Sequence, residues 1–260
     1  MQESELSKNT ARRIQALKLK KNRDDWGQFS LEGSKSVLDL LADPNAVVTD
    51  IVALPDWLDI HGKLLHGRPS LHIHVAKGDD MRQIAAFKTP SPVLAIGKFT
   101  PSPLPESIDD WVLFLSGIRD PGNLGTLLRI ADWFGLQAVF CSPDCVDIYN
   151  QKTLQASMGS FLRIPGFEMS FEEFIAKYPD CPIIAADMDG DSIYEAKLPI
   201  YGALLVGNEG RGIETALLAS AAATISIPGT HSKGAESLNA AVATAIILGN
   251  IRFRTKLTSF

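Results

Sequence analysis

The chain has 260 residues, of which 45% are hydrophobic and 21% are charged. This composition is typical of a globular protein with one large or two small domains, and it excludes collagen-like and low-complexity chains. The longest apolar run, around Ala240–Leu248, is shorter than the roughly 18–20 residues of a membrane-spanning helix. The polar N-terminus predicts no secretory signal, and three cysteines favour a reducing, cytoplasmic location without a disulfide framework.

The net charge conceals an asymmetry along the chain. The formal total of −5 by itself argues weakly against a nucleic-acid partner. However, seven basic residues and no acidic ones lie between Lys8 and Arg23, whereas the rest of the chain carries 18 basic and 30 acidic residues, a net charge of −12. The sequence therefore predicts a basic arm, residues 8–23, on an acidic body.

Predicted helices and strands alternate before a proline-rich segment. Their spacing is typical of an α/β domain. The predicted helices cover residues 8–22, 37–41, 55–65 and 79–87, and the predicted strands cover residues 28–31, 46–53, 71–75 and 92–96. Three prolines within residues 101–105 cannot lie inside a helix or a central strand. We therefore predict a first domain over residues 1–98 and a linker over residues 99–110.

The second predicted domain, residues 111–260, contains apolar runs suited to strands buried on both faces. These runs cover residues 111–115, 138–141, 182–186, 203–206 and 223–227. Helical patterns separate them, at about residues 123–135, 150–159, 170–177, 213–221 and 236–250. Buried strands with intervening helices predict an α/β fold with a mostly parallel sheet, and ligands are expected at the carboxyl ends of its strands.

Three segments place polar residues and glycines directly after predicted strands. Residues 116–129 read S-G-I-R-D-P-G-N-L-G-T-L-L-R, in which Asn123 opens a helix and Arg129 lies about one and a half turns inside it. Residues 204–213 read L-L-V-G-N-E-G-R-G-I, which matches neither a P-loop nor the G-x-G-x-x-G fingerprint. The third segment reads I-S-I-P-G and then E-S-L-N-A-A-V-A-T-A-I. Taken singly, a helix cap, a strand-to-helix turn or a well-packed helix explains each of them equally well.

Taken together, the three segments resemble the three motifs of the SpoU (TrmH-type) RNA 2′-O-ribose methyltransferases, which belong to the SPOUT class. The matching stretches read D-P-G-N-L-G-T-L-L-R, V-G-N-E-G-R-G-I and I-P-G…E-S-L-N-A-A-V-A, in this order. Residues 155–165 are similar to a family segment usually written R-A-S-x-G, with Gln155 where arginine is common. Residues 20–35, K-K-x-R…F-S-L-E-G-S-K, are similar to the ribosomal-protein-L30-like substrate-binding domain of the rRNA-modifying members.

The resemblance implies a C-terminal domain with a deep trefoil knot, a smaller L30-like α/β domain before it, and a homodimer. It also implies S-adenosylmethionine as the cofactor, bound in a bent conformation. Carried over by position, the cofactor-binding residues are Val206, Gly207, Asn208, Ile227 and Leu238. The catalytic residues are Asn123, Arg129, Glu209, Ser237 and Asn239. The apolar side chains of Ile227 and Leu238 can sandwich an adenine ring, and glycine allows backbone amides to approach its edge.

The implied reaction transfers a methyl group to a ribose 2′-hydroxyl in structured RNA, with 23S-type rRNA favoured over tRNA. A guanidinium is effectively never deprotonated in a protein. We therefore expect Arg129 to position the adjoining phosphate and to stabilise the developing alkoxide, while Glu209, Ser237 and Asn239 order the motif loops and the nucleophile. In an RNA-binding protein the basic arm is expected to contact phosphates. Its candidate residues are Arg12, Arg13, Lys18, Lys20, Lys21 and Arg23.

Several alternatives remain open at this stage. The substrate could be tRNA, or the protein could be an inactive RNA-binding factor of ribosome assembly with the same fold. An enzyme that uses a dinucleotide is disfavoured because the fingerprint is missing. Cys141 and Cys145 lack further ligands at metal-binding spacing, so we expect no metal and a buried structural role. His72 and His74 lie on one face of a predicted strand, and His231 lies in the loop before the third motif.

Overall fold

The computed structural model describes residues 2–208, 210–229 and 237–257, which divide into two compact units. The first unit runs to Pro101 and also contains Tyr149–Leu162, and the second comprises Ser102–Ile148 and the chain from Arg163 onward. The predicted domains were contiguous, so the observed division differs from them at residues 149–162. No helix within the described ranges is both long enough and apolar enough to cross a membrane.

Within the described part of the first unit, five strands form one sheet in the order β1-β4-β3-β5-β2. The first three strands of this order are mutually parallel, and β5 runs antiparallel to both of its neighbours. The strands are β1 (Gln2–Glu5), β2 (Gln28–Glu32), β3 (Val48–Ala53), β4 (His72–Val75) and β5 (Val93–Lys98). The helices are α1 (Lys8–Ala16), α2 (Lys20–Trp26), α3 (Ser34–Ala42), α4 (Pro55–His61) and α5 (Gly78–Ile84). The alternation of helices and strands is confirmed, although β1 was not predicted.

The basic arm forms two helices, so the single predicted helix over residues 8–22 is wrong. The chain leaves α1 after Ala16 and adopts an extended conformation at Leu19 before α2 begins. Arg23 explains the break because its guanidinium donates hydrogen bonds to the carbonyl oxygens of Leu17 and Lys18, at 2.8 and 3.0 Å. Arg23 is only 2% exposed. Its buried charge therefore satisfies carbonyl groups that the end of a helix leaves without partners.

A buried carboxylate connects α1 to the sheet. Asp50 on β3 accepts hydrogen bonds from Arg13, at 3.3 Å, and from Thr49, at 2.7 Å, and lies 3.0 Å from the Nε2 atom of His74. Burial raises the pKa of Asp50, but these hydrogen bonds and the charge of Arg13 outweigh it and hold the pKa below the usual value. His74 is therefore engaged with Asp50, which gives it a structural contact within the first unit.

In the described ranges of the second unit, six strands form an entirely parallel sheet in the order β11-β9-β10-β6-β7-β8. The strands are β6 (Trp111–Leu115), β7 (Val139–Cys141), β8 (Gly166–Glu168), β9 (Ile183–Ser192), β10 (Gly202–Val206) and β11 (Ala223–Ser226). The helices of the second unit are α6 (Pro121–Trp133), α8 (Phe171–Lys177), α9 (Thr215–Leu218) and α10 (Ala240–Leu257). Helix α7 (Gln151–Ser157) follows β7 in the sequence but belongs to the first unit. The predicted parallel sheet is confirmed, and the short strand β8 was not predicted.

Buried aromatic rings fill the core of the second unit. Phe114 on β6 packs edge-on against Phe171 and Phe174 of α8, and Phe140 on β7 packs against Phe174 at a ring distance of 4.8 Å. Burial of each such side chain contributes roughly 1.5–3 kcal/mol. The core thereby holds the central strands in register, with Leu115 opposite both Val206 and Cys141. As a result, the segments that follow β6, β7 and β10 leave the sheet at the same edge.

Candidate functional site

The first motif segment forms the start of α6 at the carboxyl edge of the parallel sheet. The carboxylate of Asp120 accepts a hydrogen bond from the amide of Asn123, at 2.8 Å, and Pro121 occupies the first helical position. Both features are typical of a helix N-terminus. They place Asn123 in the first turn of α6, where its side chain is only partly buried.

Asn239 connects the first motif segment to the third. Its Nδ2 atom donates a hydrogen bond to Oδ1 of Asn123, at 2.9 Å, across a sequence separation of 116 residues. Its Oδ1 atom accepts from the amides of Ala241 and Val242, at 3.0 and 3.2 Å, and so caps the start of α10. The two N-terminal helix ends that carry the first and third motifs therefore lie side by side, and their partial positive charges favour an anionic group there.

The second motif segment is a tight loop closed by its own backbone. Asn208 and Gly212 exchange two backbone hydrogen bonds, at 3.1 and 2.8 Å. The Oδ1 atom of Asn208 accepts from the amides of Gly210 and Arg211, and its Nδ2 atom donates to the carbonyl of Gly117, at 2.7 Å. A Cβ atom at Gly207 would lie 2.4 Å from the carbonyl carbon and oxygen of Gly212. Only glycine therefore fits at position 207 without displacing this loop.

The structure also describes five of the remaining predicted residues. Val206 is buried at the end of β10, Ile227 is partly buried after β11, and Ser237 and Leu238 are exposed just before α10. Arg129 is exposed on α6, and its side chain has no hydrogen-bond or ion-pair partner among the residues that the structure describes. Glu209 and His231 lie outside the described residues.

The turn that follows β7 also lies at this edge of the sheet, although the sequence patterns did not predict a role for it. Ser142 and Asp144 belong to the stretch S-P-D-C, and the Ser142 hydroxyl accepts a hydrogen bond from the amide of Gly117, at 3.0 Å. The available signal was a serine–proline–aspartate turn directly after a predicted buried strand. Within the described ranges, no group of three or more His, Cys, Asp or Glu side chains could hold a metal ion.

Cys145 on this turn has an unusually acidic thiol. Its hydrogen bonds with Cys141, with Ser142 and with the amide of Ile118 lower the pKa of Cys145 to about 7 despite partial burial. The hydrogen bond with Cys145 and burial raise the pKa of Cys141, and burial raises the pKa of Cys181 to about 11. The thiolate is the reactive form of cysteine, so the three residues should differ in reactivity.

We therefore expect iodoacetamide to alkylate Cys145 selectively, at a rate that rises as the pH is raised through about 7. The sign follows from the lowered pKa, because a larger fraction of Cys145 is thiolate above that pH. Peptide mass spectrometry after timed alkylation measures each cysteine separately, and a Cys145→Ser variant is the control. Equal labelling of all three cysteines, or a rate independent of pH, would contradict the lowered pKa.

Comparisons with known proteins agree over both units of the chain. The profile of the SpoU rRNA Methylase family matches residues 110–249. The 23S rRNA (guanosine(2553)-2′-O)-methyltransferase RlmP of Bacillus subtilis is 29% identical over 244 residues, 91% of this chain and 93% of that protein. A TrmH-family structure from Porphyromonas gingivalis superposes with a TM-score of 0.84 at 31% identity, over 96% of this chain and 99% of that one. An AdoMet-bound rRNA methyltransferase from Sinorhizobium meliloti has a TM-score of 0.84 at 27% identity, over 97% and 98% of the two chains.

Proposed function

The chain belongs to the SpoU rRNA Methylase family, and on that premise we propose that it transfers a methyl group from S-adenosylmethionine to a ribose 2′-hydroxyl of 23S-type rRNA. The convergence of the three motif segments carries this proposal, since Asn239 contacts Asn123 and Asn208 contacts Gly117 at one edge of the sheet. The likeness to RlmP over 91% of the chain supports rRNA as the substrate, because it includes the first unit as well as the second.

The residues at this edge fit the cofactor. The missing Cβ of Gly207 lets the backbone of Gly212 close against the end of β10, and Gly207 itself is only partly buried. The apolar side chains of Ile227 and Leu238 are partly or largely exposed, Leu238 by 48%. An adenine ring takes such apolar contacts together with backbone hydrogen bonds. Val206 and Asn208 complete the proposed set. When bound, S-adenosylmethionine supplies an electrophilic methyl group on its sulfonium.

The chain's own residues must orient the ribose 2′-hydroxyl, which is a weak nucleophile, and stabilise the negative charge that forms on its oxygen. We assign these tasks to Asn123, Arg129, Glu209, Ser237 and Asn239. The exposed guanidinium of Arg129 is available for a bidentate contact with the adjoining RNA phosphate and for charge stabilisation at the 2′-oxygen. Asn239 holds the amide of Asn123 in one orientation, and the two helix ends add favourable dipoles.

The quaternary structure and topology of the family are part of this proposal. We assign to the second unit a deep trefoil knot, and to the first an L30-like fold that binds RNA in the cytoplasm. A homodimer is supported by apolar side chains left exposed on α6 and α10, namely Trp133, Val242 and Phe253.

The decisive experiment is a ribose-methylation map of rRNA and tRNA from cells with and without this protein. We expect one 2′-O-methyl mark in 23S-type rRNA to disappear in cells that lack the protein and to return when it is restored. Loss of a mark in tRNA alone would overturn the assignment to rRNA. An unchanged map, combined with cofactor binding by the purified protein, would favour an RNA-binding factor without activity.

The basic arm is expected to contribute RNA affinity through its exposed residues. Arg23 is buried, and the side chains of Arg13 and Lys18 bind other parts of the first unit. Arg12 and Lys21 are exposed. A variant with Arg12→Gln and Lys21→Gln should therefore weaken binding of a 23S rRNA fragment and reduce the slope of log affinity against log salt by roughly 1.5.

Fluorescence anisotropy at several salt concentrations measures this slope. Lys177→Gln with Lys197→Gln is the matched control, because it removes the same charge from exposed positions of the acidic body. Cofactor affinity should be unchanged in both variants. Equal salt slopes for the two double variants would exclude these arm residues from RNA binding.

A further inference from the structure

We infer that Ser142 and Asp144 are positioning residues, which hold the second motif loop in shape for the cofactor by acting through Gly117. The inference rests on the proposed function, since it concerns the same site. Neither residue belongs to the three motifs. Both lie on the turn after β7, one strand away from β6 and two strands away from β10 in the sheet.

The Ser142 hydroxyl has a defined orientation. The carbonyl of Ser142 accepts a hydrogen bond from the amide of Cys145, at 2.9 Å, which closes a β-turn with Pro143 in its second position. Within this turn the hydroxyl donates its proton to the Oδ1 atom of Asp144, at 2.5 Å. Because the proton is committed to the carboxylate, the oxygen is left to accept the hydrogen bond from the amide of Gly117, at 3.0 Å.

Gly117 transmits this contact to the second motif. Its amide is bound by Ser142 and its carbonyl by the side chain of Asn208, so both of its backbone polar groups are held. It needs this support because its φ of +68° lies in the left-handed region, from which a free glycine readily departs. The Asn208 side chain in turn binds the amides of Gly210 and Arg211. An unbroken series of hydrogen bonds therefore runs from Asp144 to the second motif loop.

The surroundings of Asp144 indicate positioning rather than support of the core. Its side chain is exposed, so removing the carboxylate leaves no cavity in the apolar interior. A Cβ atom at position 117 would lie 3.0 Å from its Oδ2 atom, which shows how closely the carboxylate approaches the Gly117 turn. Hydrogen bonds that are linked in this way depend on one another, so loss of the first weakens the others.

The test measures the affinity of S-adenosylhomocysteine by calorimetry, with the thermal unfolding midpoint as a second readout. Ser142→Ala should weaken binding roughly tenfold, as expected for loss of a buried hydrogen bond. Asp144→Ala should weaken it less, and Asp144→Asn should bind like the unaltered protein because an amide oxygen still accepts from Ser142. Ser107→Ala is the matched control, since Ser107 donates to Asp109 with the same spacing outside the motifs and this turn.

A double-variant cycle separates positioning from general destabilisation. If Ser142 acts through Gly117 on Asn208, adding Ser142→Ala to Asn208→Ala should cause little further loss of affinity. Fully additive losses, or a Ser142→Ala affinity equal to that of Ser107→Ala, would overturn the inference. Should Ser142→Ala fail to fold, Asp144→Ala carries the same test from an exposed position. Failure of the unaltered protein to bind the probe would instead overturn the proposed function.

Discussion

Replacement of Arg129 by lysine is expected to lower the single-turnover rate of methyl transfer by roughly 100-fold, and replacement by alanine by roughly 1,000-fold. Lysine keeps the charge but loses the planar pair of donors that binds a phosphate in a bidentate manner. Affinity for S-adenosylhomocysteine should stay unchanged, because Arg129 is not among the proposed cofactor-binding residues.

The structure supports this expectation through the position of Arg129. It lies on α6 six residues after Asn123, which corresponds to about 9 Å along the helix axis. Its side chain is exposed and has no partner in the described ranges, so the charge is not used to stabilise the fold. The unfolding midpoint of either variant should therefore match that of the unaltered protein.

Single-turnover assays with labelled cofactor and a 23S rRNA fragment measure the effect. Arg163→Lys is the matched control, because Arg163 pairs with Asp132 near the end of the same helix and lysine can keep that ion pair. A near-normal rate for Arg129→Lys would contradict a bidentate, phosphate-positioning arginine. A large loss of cofactor affinity in Arg129→Ala would instead place this side chain in the cofactor site.

Replacement of Gly207 by alanine is expected to abolish measurable cofactor binding, with a loss of affinity of roughly 100-fold or more. The added methyl group would lie 2.4 Å from the carbonyl carbon and oxygen of Gly212 and 2.6 Å from the amide nitrogen of Ile213. These are backbone atoms that no side-chain rotation can move away. The loop is also closed by two hydrogen bonds between Asn208 and Gly212, so the strain displaces the whole second motif.

Calorimetry with S-adenosylhomocysteine and a thermal unfolding scan together measure this effect. We expect a stability loss of about 1–3 kcal/mol from overpacking, which leaves the protein folded at room temperature. Gly62→Ala is the control, because a Cβ atom there would meet nothing within 4 Å and its φ of −55° suits any residue. Unchanged affinity in Gly207→Ala would show that the loop is not part of the cofactor site.

Sequence patterns predicted the secondary structure of the second unit well where the elements are long or fully buried. The run at Trp111–Leu115 is a strand buried along its whole length, and Pro121 with Asp120 marks the start of α6. The patterns failed where tertiary contacts override them. In the basic arm, the buried guanidinium of Arg23 stabilises a break that helical periodicity does not reveal, and β8 is a short strand stabilised by its neighbour β7.

For the site, the three motifs identified the family, and the match of the family profile to residues 110–249 confirms it. The hydrogen bonds within the site could not be predicted from the sequence. The contact between Asn123 and Asn239 spans 116 residues, and the Ser142 hydroxyl binds Gly117 from another strand's turn. Each contact requires that the strands be neighbours in a particular order, which local spacing does not encode.

The amino-acid sequence by itself determined the opposed charges of arm and body, the α/β alternation, the parallel sheet and the three motifs that identify the family. These properties depend on residue type and on neighbours within a few positions, where propensity and periodicity act. Only the tertiary structure decided that residues 149–162 join the first unit, that Arg23 is buried, and that the turn at Ser142 contacts the motif segments. The reason is that burial and hydrogen bonding between distant segments follow from the packing of whole elements.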